Sequence, residues 1–394
     1  MNQPFLPREM RRAAWRWALL AGVLALQPVL AQDAAPYFPP PGEWAAMSAE
    51  AAGMDPDRLA EAIGLAQQSA VTEPNDLALV IHQSWSEREP NYRILGPTRP
   101  REGSSGLVIR HGHIVGQWGD VERVDMTFSV AKSYLSTIAA LALRDGLIDD
   151  VHSPVGRWVW SGEFDGRKNR DITWHHLLNQ TSDWSGTLWD VADWADRPEG
   201  DDPAQWPNRA QHEPGTHFKY NDVRVNLLAY ALLQVWRKPL PKVLLHEVME
   251  PIGASRTWRW EGYHNSWVTL DGLQTQSVSG GGHFGGGLFI STMDHARFGL
   301  LFLRDGQWNG RQIIPRDWIR QMREPTPVKP DYGYMWWLNT GREAIPAAPE
   351  NAYYAAGFGG NTIYIDPEHD LVVVMRWVPP RAEVIGAILD AIED

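Results

Sequence analysis

From Ser129 to Arg144 the sequence is apolar on almost every side. Val130, Ala131, Tyr134, Leu135, Ile138, Leu141 and Leu143 leave no helical face for water. Gly146 follows as a stop, so the stretch predicts a helix that runs inside a core and must be covered by other layers. Only a large domain provides such cover. With 394 residues, 43% of them hydrophobic, the chain is long enough for one large or two closely joined domains.

The first turn of this helix carries chemistry. Lys132 follows Ser129 by three residues and so lies on the same helical face. A serine hydroxyl is a poor nucleophile until a neighbouring base takes its proton. Lysine can be that base only when burial lowers its pKa, because an ammonium has no lone pair. The apolar neighbours Phe128, Val130 and Ala131 predict such a setting. The spacing alone is common, but residue usage sharpens it: of 36 basic residues six are lysines, and Lys132 is the one in an apolar helix. Arginine stays protonated in proteins, so a chain that otherwise prefers it has a titratable amine at this point. The competing reading is a buried lysine held by a carboxylate from elsewhere. Backbone N–H groups at a helix start also stabilise developing negative charge, so Ser129 would sit beside half an oxyanion hole.

The flanking segments give the organisation. Asp55-Pro56 reads as an N-cap followed by proline at the first helical position, opening a helix to about Gln68. Leu107 to Arg110 and Ile114 to Trp118, joined by His111-Gly112-His113, read as a hairpin. Between 146 and 285 the signals are helical or irregular, with helices at Trp174 to Leu178, Val223 to Trp236 and Val243 to Glu250. Strands return at Leu288 to Ile290, Tyr334 to Leu338, Thr362 to Ile365 and Leu371 to Arg376, before a last helix from about Glu383. The expected fold is therefore an α/β (α+β) domain over 51–394. Its sheet is built from about 51–145 and 286–394, and a helical subdomain fills about 146–285.

The N-terminus differs from the rest. Arg8, Arg11, Arg12 and Arg16 precede an apolar run from Trp17 to Ala31, which predicts a signal peptide over 1–31 and an exported, periplasmic or secreted protein. The run is shorter than a spanning helix requires, so no stable membrane insertion is expected after cleavage. Residues 32–50 are expected to be a linker. The formal charge is −12, and such an acidic surface argues against nucleic acid as a partner. Zero cysteines excludes disulfides and thiol chemistry.

The motifs in order are Phe128-Ser-Val-Ala-Lys132, Leu177-Leu-Asn-Gln-Thr-Ser182, Pro214-Gly215 leading to Tyr220, Gly285-Gly-Gly-Leu-Phe-Ile-Ser-Thr292 with Asp294, Tyr332-Gly-Tyr-Met-Trp336, and Gly357 to Pro367. In this set and order the chain resembles the serine β-lactamase and DD-peptidase superfamily, in its class C β-lactamase-like branch with carboxylesterases and 6-aminohexanoate-dimer hydrolases. The resemblance spans about residues 50–390. It implies a class C β-lactamase-like fold, a mainly antiparallel sheet flanked by helices plus a helical domain, with the active site where sheet and helical subdomain meet, and no cofactor. It also implies that the phenol of Tyr220 shares protons with Lys132 and Ser129, and that the N–H groups of Ser129 and Phe358 hold an oxyanion.

Two departures bear on substrate. The second motif of the superfamily is Tyr-x-Asn, but here Asn221 follows Tyr220 and Asp222 takes the third place, either to contact substrate or to pair with Lys132. The third motif, usually Lys-Thr-Gly or His-Thr-Gly, is Ala355-Ala356-Gly357. Loss of that cation argues against β-lactams and D-alanyl peptides, which carry the carboxylate it would hold. Gly357 keeps the backbone role. Seven acids between Asp183 and Asp202 interleave with Trp184, Trp189 and Trp194, either as a solvated loop or as a cleft rim favouring neutral or amine-bearing small molecules. Ser277 to Gly287, with His283 among glycines, reads as a lid, a wall or a tight turn.

Other chemistries fit less well. His246-Glu247 begins like a zinc helix, but Glu250 stands where the second histidine is needed, so no metal site is expected. No Gly-x-Ser-x-Gly elbow occurs. The expectation is a serine hydrolase cleaving amide or ester bonds of a small linear substrate, with carboxylesterase and β-lactamase or D-peptidase as alternatives on the same fold. A non-catalytic binding or sensor domain is the alternative from another class. The sequence sets no oligomeric state.

Overall fold

Asp55 caps the first helix: its carboxylate accepts the N–H groups of Asp57 and Arg58 at 2.9 and 3.1 Å, and Pro56 begins α1 (Pro56–Gln68). In the computed structural model, which describes residues 36–85 and 93–393, the chain from Tyr37 onward forms one unit. The predicted signal peptide lies outside the described residues. After α2 (Leu77–Ser84) come β1 (Ser105–Arg110) and β2 (His113–Trp118). His111 and Gly112 between them both have positive φ, 53° and 80°, which matches the twist of a tight hairpin.

The remaining elements that frame the site follow in order. They are β3 (Asp125–Met126), α3 (Ala131–Arg144), α4 (Asp222–Trp236), β4 (Arg259–Leu270), β5 (Leu273–Val278), β6 (Gly287–Ile290) and α5 (Thr292–Leu303). The last six are β7 (Tyr332–Gly333), β8 (Trp336–Leu338), β9 (Tyr353–Gly357), β10 (Asn361–Asp366), β11 (Leu371–Arg376) and α6 (Arg381–Leu389).

Seven strands form an antiparallel sheet in the order β7-β8-β9-β10-β11-β1-β2. Every residue of β1, β10 and β11 is buried, because helices cover both faces. On one face Leu59 and Ala62 of α1 and Val384, Ile385 and Ile388 of α6 pack with Val108, Val373 and Met375. On the other, Leu107, Ile109, Ile363 and Val372 join a core with α3 and α5. Gly299 lets α5 approach closely, since a Cβ there would press on Val372 and Ile363. A second sheet, β3-β6-β4-β5, stands beside it.

Three sequence expectations need correction. The linker of 32–50 is not loose from Tyr37 on. Met47 N–H donates to Ile114 O at 2.9 Å, Ile114 N–H to Ala45 O at 3.2 Å, and the buried Arg297 guanidinium reaches the carbonyls of Pro39, Pro40 and Glu43. The helical subdomain does not extend to 285, because β4 and β5 form a long hairpin. A register break between Gly262 and Trp267 interrupts the alternation that would have announced β4. Finally, Ser129 lies in a 3-10 turn, Phe128–Val130, just ahead of α3 rather than inside it.

Arg376 ties the two sheets together in front of that turn. Its guanidinium donates to Asn361 Oδ1 at 2.6 Å, Ile290 O at 2.8 Å and Met126 O at 3.1 Å, and burial pulls its pKa down to about 10. Replacing Arg376 by Leu strips partners from two buried carbonyls and an amide. Urea unfolding is expected to show a loss of about 3 kcal/mol.

Candidate active site

Phe128 adopts φ 49°, a left-handed conformation that costs a bulky residue roughly 1–2 kcal/mol. The surroundings hold it there. Thr127 N–H donates to Leu288 O at 2.9 Å, and the hydroxyls of Thr127 and Tyr134 each lie 2.8 Å from a ring nitrogen of the buried His295. Burial, with Arg376 nearby, puts the His295 pKa well below its ordinary value, so the ring is neutral and links one donor to one acceptor. The Phe128 ring packs edge-on to Phe358 and Trp377 at 5.3 and 6.2 Å. The kinked turn leaves Ser129 half-buried while Phe128, Val130 and Ala131 are buried.

Lys132 is 1% exposed and its ammonium donates to Ser129 Oγ at 2.8 Å and to Asp222 Oδ1 at 2.7 Å. Asp222 is the first residue of α4 and equally buried; its second oxygen accepts the N–H of His283 at 3.1 Å. Burial opposes charge on Lys132, but the Asp222 carboxylate beside it prevails, so the lysine pKa is raised. For Asp222 burial likewise opposes ionisation, and Lys132, with Arg197 and His283, outweighs it and lowers the pKa. The expectation of a lysine discharged by burial alone is thus corrected: the carboxylate keeps it an ammonium at rest. The choice open for Asp222 falls on pairing with Lys132.

The other predicted site residues divide into two groups. Tyr220 meets Lys132 by its ring, whose centroid is 4.7 Å from Nζ, and it stacks on Trp337 at 5.8 Å. Among the described residues its phenol makes no hydrogen bond to Ser129 or Lys132. Gly357 ends β9 against the Ser129 turn, where a Cβ would run into Thr127 O and lie 3.3 Å from Ser129 N. Phe358 follows, 38% exposed, its ring edge-on to Trp85. Ser129, Lys132, Asp222, Tyr220, Gly357 and Phe358 therefore converge, and His283 joins them from behind through its backbone.

Trp184, Trp189 and Asn221 do not face Ser129. Trp184 is 2% exposed and donates to Glu163 O at 2.6 Å. Trp189 packs edge-on to Tyr230, and Asn221 caps α4 by accepting the Arg224 N–H at 3.0 Å. The acidic stretch is divided: Asp190, Glu199, Asp201 and Asp202 are exposed, whereas Asp183, Asp193 and Asp196 are buried. Asp183 is buried among Lys168, Arg209 and Arg224 at 2.6 to 2.8 Å, and Asp193 pairs with Arg209. The glycine-rich stretch 277–287 is a buried wall rather than a lid.

Three residues around the ion pair were not among the expected site residues: Gly281, Asp196 and Arg197. Gly281 lies against the ion pair, where a Cβ would collide with Lys132 Nζ and Asp222 Oδ2. Asp196 is fully buried; Oδ2 accepts the Asp222 N–H, and Oδ1 lies 2.5 Å from Arg197 Nη1 and 3.4 Å from His283 Nε2. A lone arginine among seven acids was the one available signal for Arg197.

The model of the Beta-lactamase family matches residues 95–383. The chain belongs to the Beta-lactamase family. It is a serine hydrolase in general class. A protein of Alkalihalophilus pseudofirmus is 30% identical over 308 residues, 69% of this chain and 82% of its own length. Among solved structures, a Bacillus anthracis protein described as a 6-aminohexanoate-dimer hydrolase is similar with a TM-score of 0.54 and 18% identity, covering 73% of this chain and 76% of that one. EstCE1, a hydrolase with promiscuous acyltransferase activity, is similar with a TM-score of 0.56 and 18% identity, over 86% of this chain and 99% of its own. Both share the fold.

Two predictions test the ion pair. Gly281→Ala forces Lys132 and Asp222 apart and should cost at least about 100-fold in turnover while circular dichroism stays unchanged. In Asp222→Asn the charge that raises the lysine pKa is gone, so the acid limb of the pH–rate profile should move to lower pH by about one unit. An unmoved limb would mean that Lys132 is not the group that titrates.

Proposed function

We propose that this chain hydrolyses an amide or ester bond in a small linear substrate through an acyl-enzyme on Ser129. The observation that carries the reading is the 2.8 Å contact between Lys132 Nζ and a half-buried Ser129 Oγ, beside the backbone at Gly357-Phe358. When Lys132 is neutral, its amine takes the proton from Ser129 Oγ as the oxygen bonds to the substrate carbonyl carbon. The N–H groups of Ser129 and Phe358 receive the negative charge that develops on the carbonyl oxygen. The ammonium returns the proton to the leaving amine or alcohol as the C–N or C–O bond breaks. A water then attacks the acyl-enzyme by the same route and restores Ser129. No cofactor enters these steps.

Substrate class rests on Ala355-Ala356-Gly357. Where relatives of this fold carry a lysine or histidine, Ala355 is apolar and buried, so no cation from β9 meets a substrate carboxylate. Linear amides, of the kind named for the Bacillus anthracis relative, and short esters fit this better than β-lactams. The Arg-rich start and apolar run of 1–31 support export as the place of action.

The test is a fluorophosphonate pulse followed by peptide mass spectrometry, with the label expected on Ser129; label elsewhere, or none, overturns the mechanism. Turnover of a linear aminoacyl amide, short-chain nitrophenyl esters and a chromogenic cephalosporin is then compared on one preparation. The amide or the esters should lead by at least about tenfold, and a lead for the cephalosporin would reverse the reading of Ala355.

A further inference from the structure

The ion pair that positions Lys132 also stands in its way. An ammonium bound to Asp222 at 2.7 Å cannot accept the Ser129 proton, and nothing in the pair itself relieves this. A second cation sits at the same carboxylate oxygen. Arg197 Nη1 lies 3.9 Å from Asp222 Oδ1 and 2.5 Å from Asp196 Oδ1, and its guanidinium carbon is 5.1 Å from the centroid of the Tyr220 ring that Lys132 also contacts. The site thus holds two acids, Asp222 and Asp196, and two permanent or potential cations around one oxygen.

Arg197 differs from Lys132 in two ways. Its side chain is 43% exposed, so its charge stays solvated and costs little to keep, whereas the lysine is 1% exposed. Its backbone is held at φ 54°, a left-handed conformation costly for an arginine. Its backbone carbonyl is fixed by Lys219 Nζ at 2.7 Å. Strain of this kind persists where surrounding contacts enforce it, and here the guanidinium is held by Asp196 within 3.9 Å of Asp222 Oδ1.

We propose that Arg197 is a positioning residue for Lys132: by sharing Asp222 Oδ1 it takes over the carboxylate and leaves the lysine amine able to accept the Ser129 proton. The proton that Lys132 must lose first leaves to water through the half-buried Ser129 side. Arg197 never needs to lose its own, since guanidinium stays charged throughout. The direct repulsion between the two cations acts the same way, opposing the rise that Asp222 imposes on the lysine. The other groups facing the pair are Tyr220, Asp196 and His283, with the phenols of Tyr263 and Tyr332 near Asp222. All of them are kept in the variants below.

This inference rests on Ser129 being the nucleophile, so the test reads that step without any natural substrate. The rate of fluorophosphonate labelling is measured against pH for the full chain, for Arg197→Gln and for Arg197→Lys. In Arg197→Gln the acid limb should move up by about one pH unit, with labelling below the limb falling about tenfold and the alkaline plateau kept within about twofold. Arg197→Lys should return the limb most of the way. A limb that does not move in Arg197→Gln overturns the proposal, whatever happens to the plateau, because lost packing alone would lower the rate at every pH. If the wild-type chain takes label on Ser129 and only the limb fails to move, the hydrolase reading stands and the role of Arg197 falls. If it takes no label there, both fall.

Discussion

Lys132 and Asp222 are opposite charges in a place where neither could remain alone. Each is stripped of water, and the loss of either partner would leave a buried ion uncompensated, a penalty of several kcal/mol. Much of the site is arranged around making that pair tolerable. The start of α4 offers the carboxylate, the His283 backbone satisfies its second oxygen, and Gly281 leaves room for both head groups. The pair also fixes the relative position of α3 and α4, so the electrostatics of the site and the packing of the helical layer are one problem.

The opposite wall is built from strain and aromatic packing instead of charge. Phe128 is held left-handed by the Thr127–His295–Tyr134 chain of hydrogen bonds and by Phe358 and Trp377 around its ring. Gly357 allows β9 to lie on the backbone of that turn. Arg376, reaching from β11 to the carbonyls of Met126 and Ile290, pins the strands on either side. The half-exposed Ser129 is what remains accessible when every neighbouring group is fastened.

What could be read from the sequence was what depends on local pattern. The apolar surround of α3, the Asp55-Pro56 cap, the β1–β2 hairpin and the central strands β10 and β11 all carry their signal within a dozen residues. Ser129 and Lys132 were legible because they stand three residues apart in the sequence. The charge on Lys132 was not, since its partner comes from 90 residues downstream. The same holds for the acidic stretch: Asp183 looks solvated until Arg209 and Arg224, 26 and 41 residues away, close on it. β4 was missed because its register slips in mid-strand, and the contact of the Tyr220 ring with Lys132 joins residues 88 apart, beyond any local pattern.

The pairing of β1 with β11 sets the order in which the molecule can be made. Ser105 lies opposite Arg376 and Arg110 opposite Leu371, so the middle of the main sheet joins the first strand to the last. A chain emerging from the ribosome holds β1, β2 and α1 with one edge unpaired until nearly all of it has been synthesised. Contacts this distant in sequence slow folding, because a long loop must close before they form. An open edge of Leu107, Val108 and Ile109 is also a template for pairing with the wrong strand. The same delay makes the chain a client for chaperones that hold it unfolded until its last strand arrives.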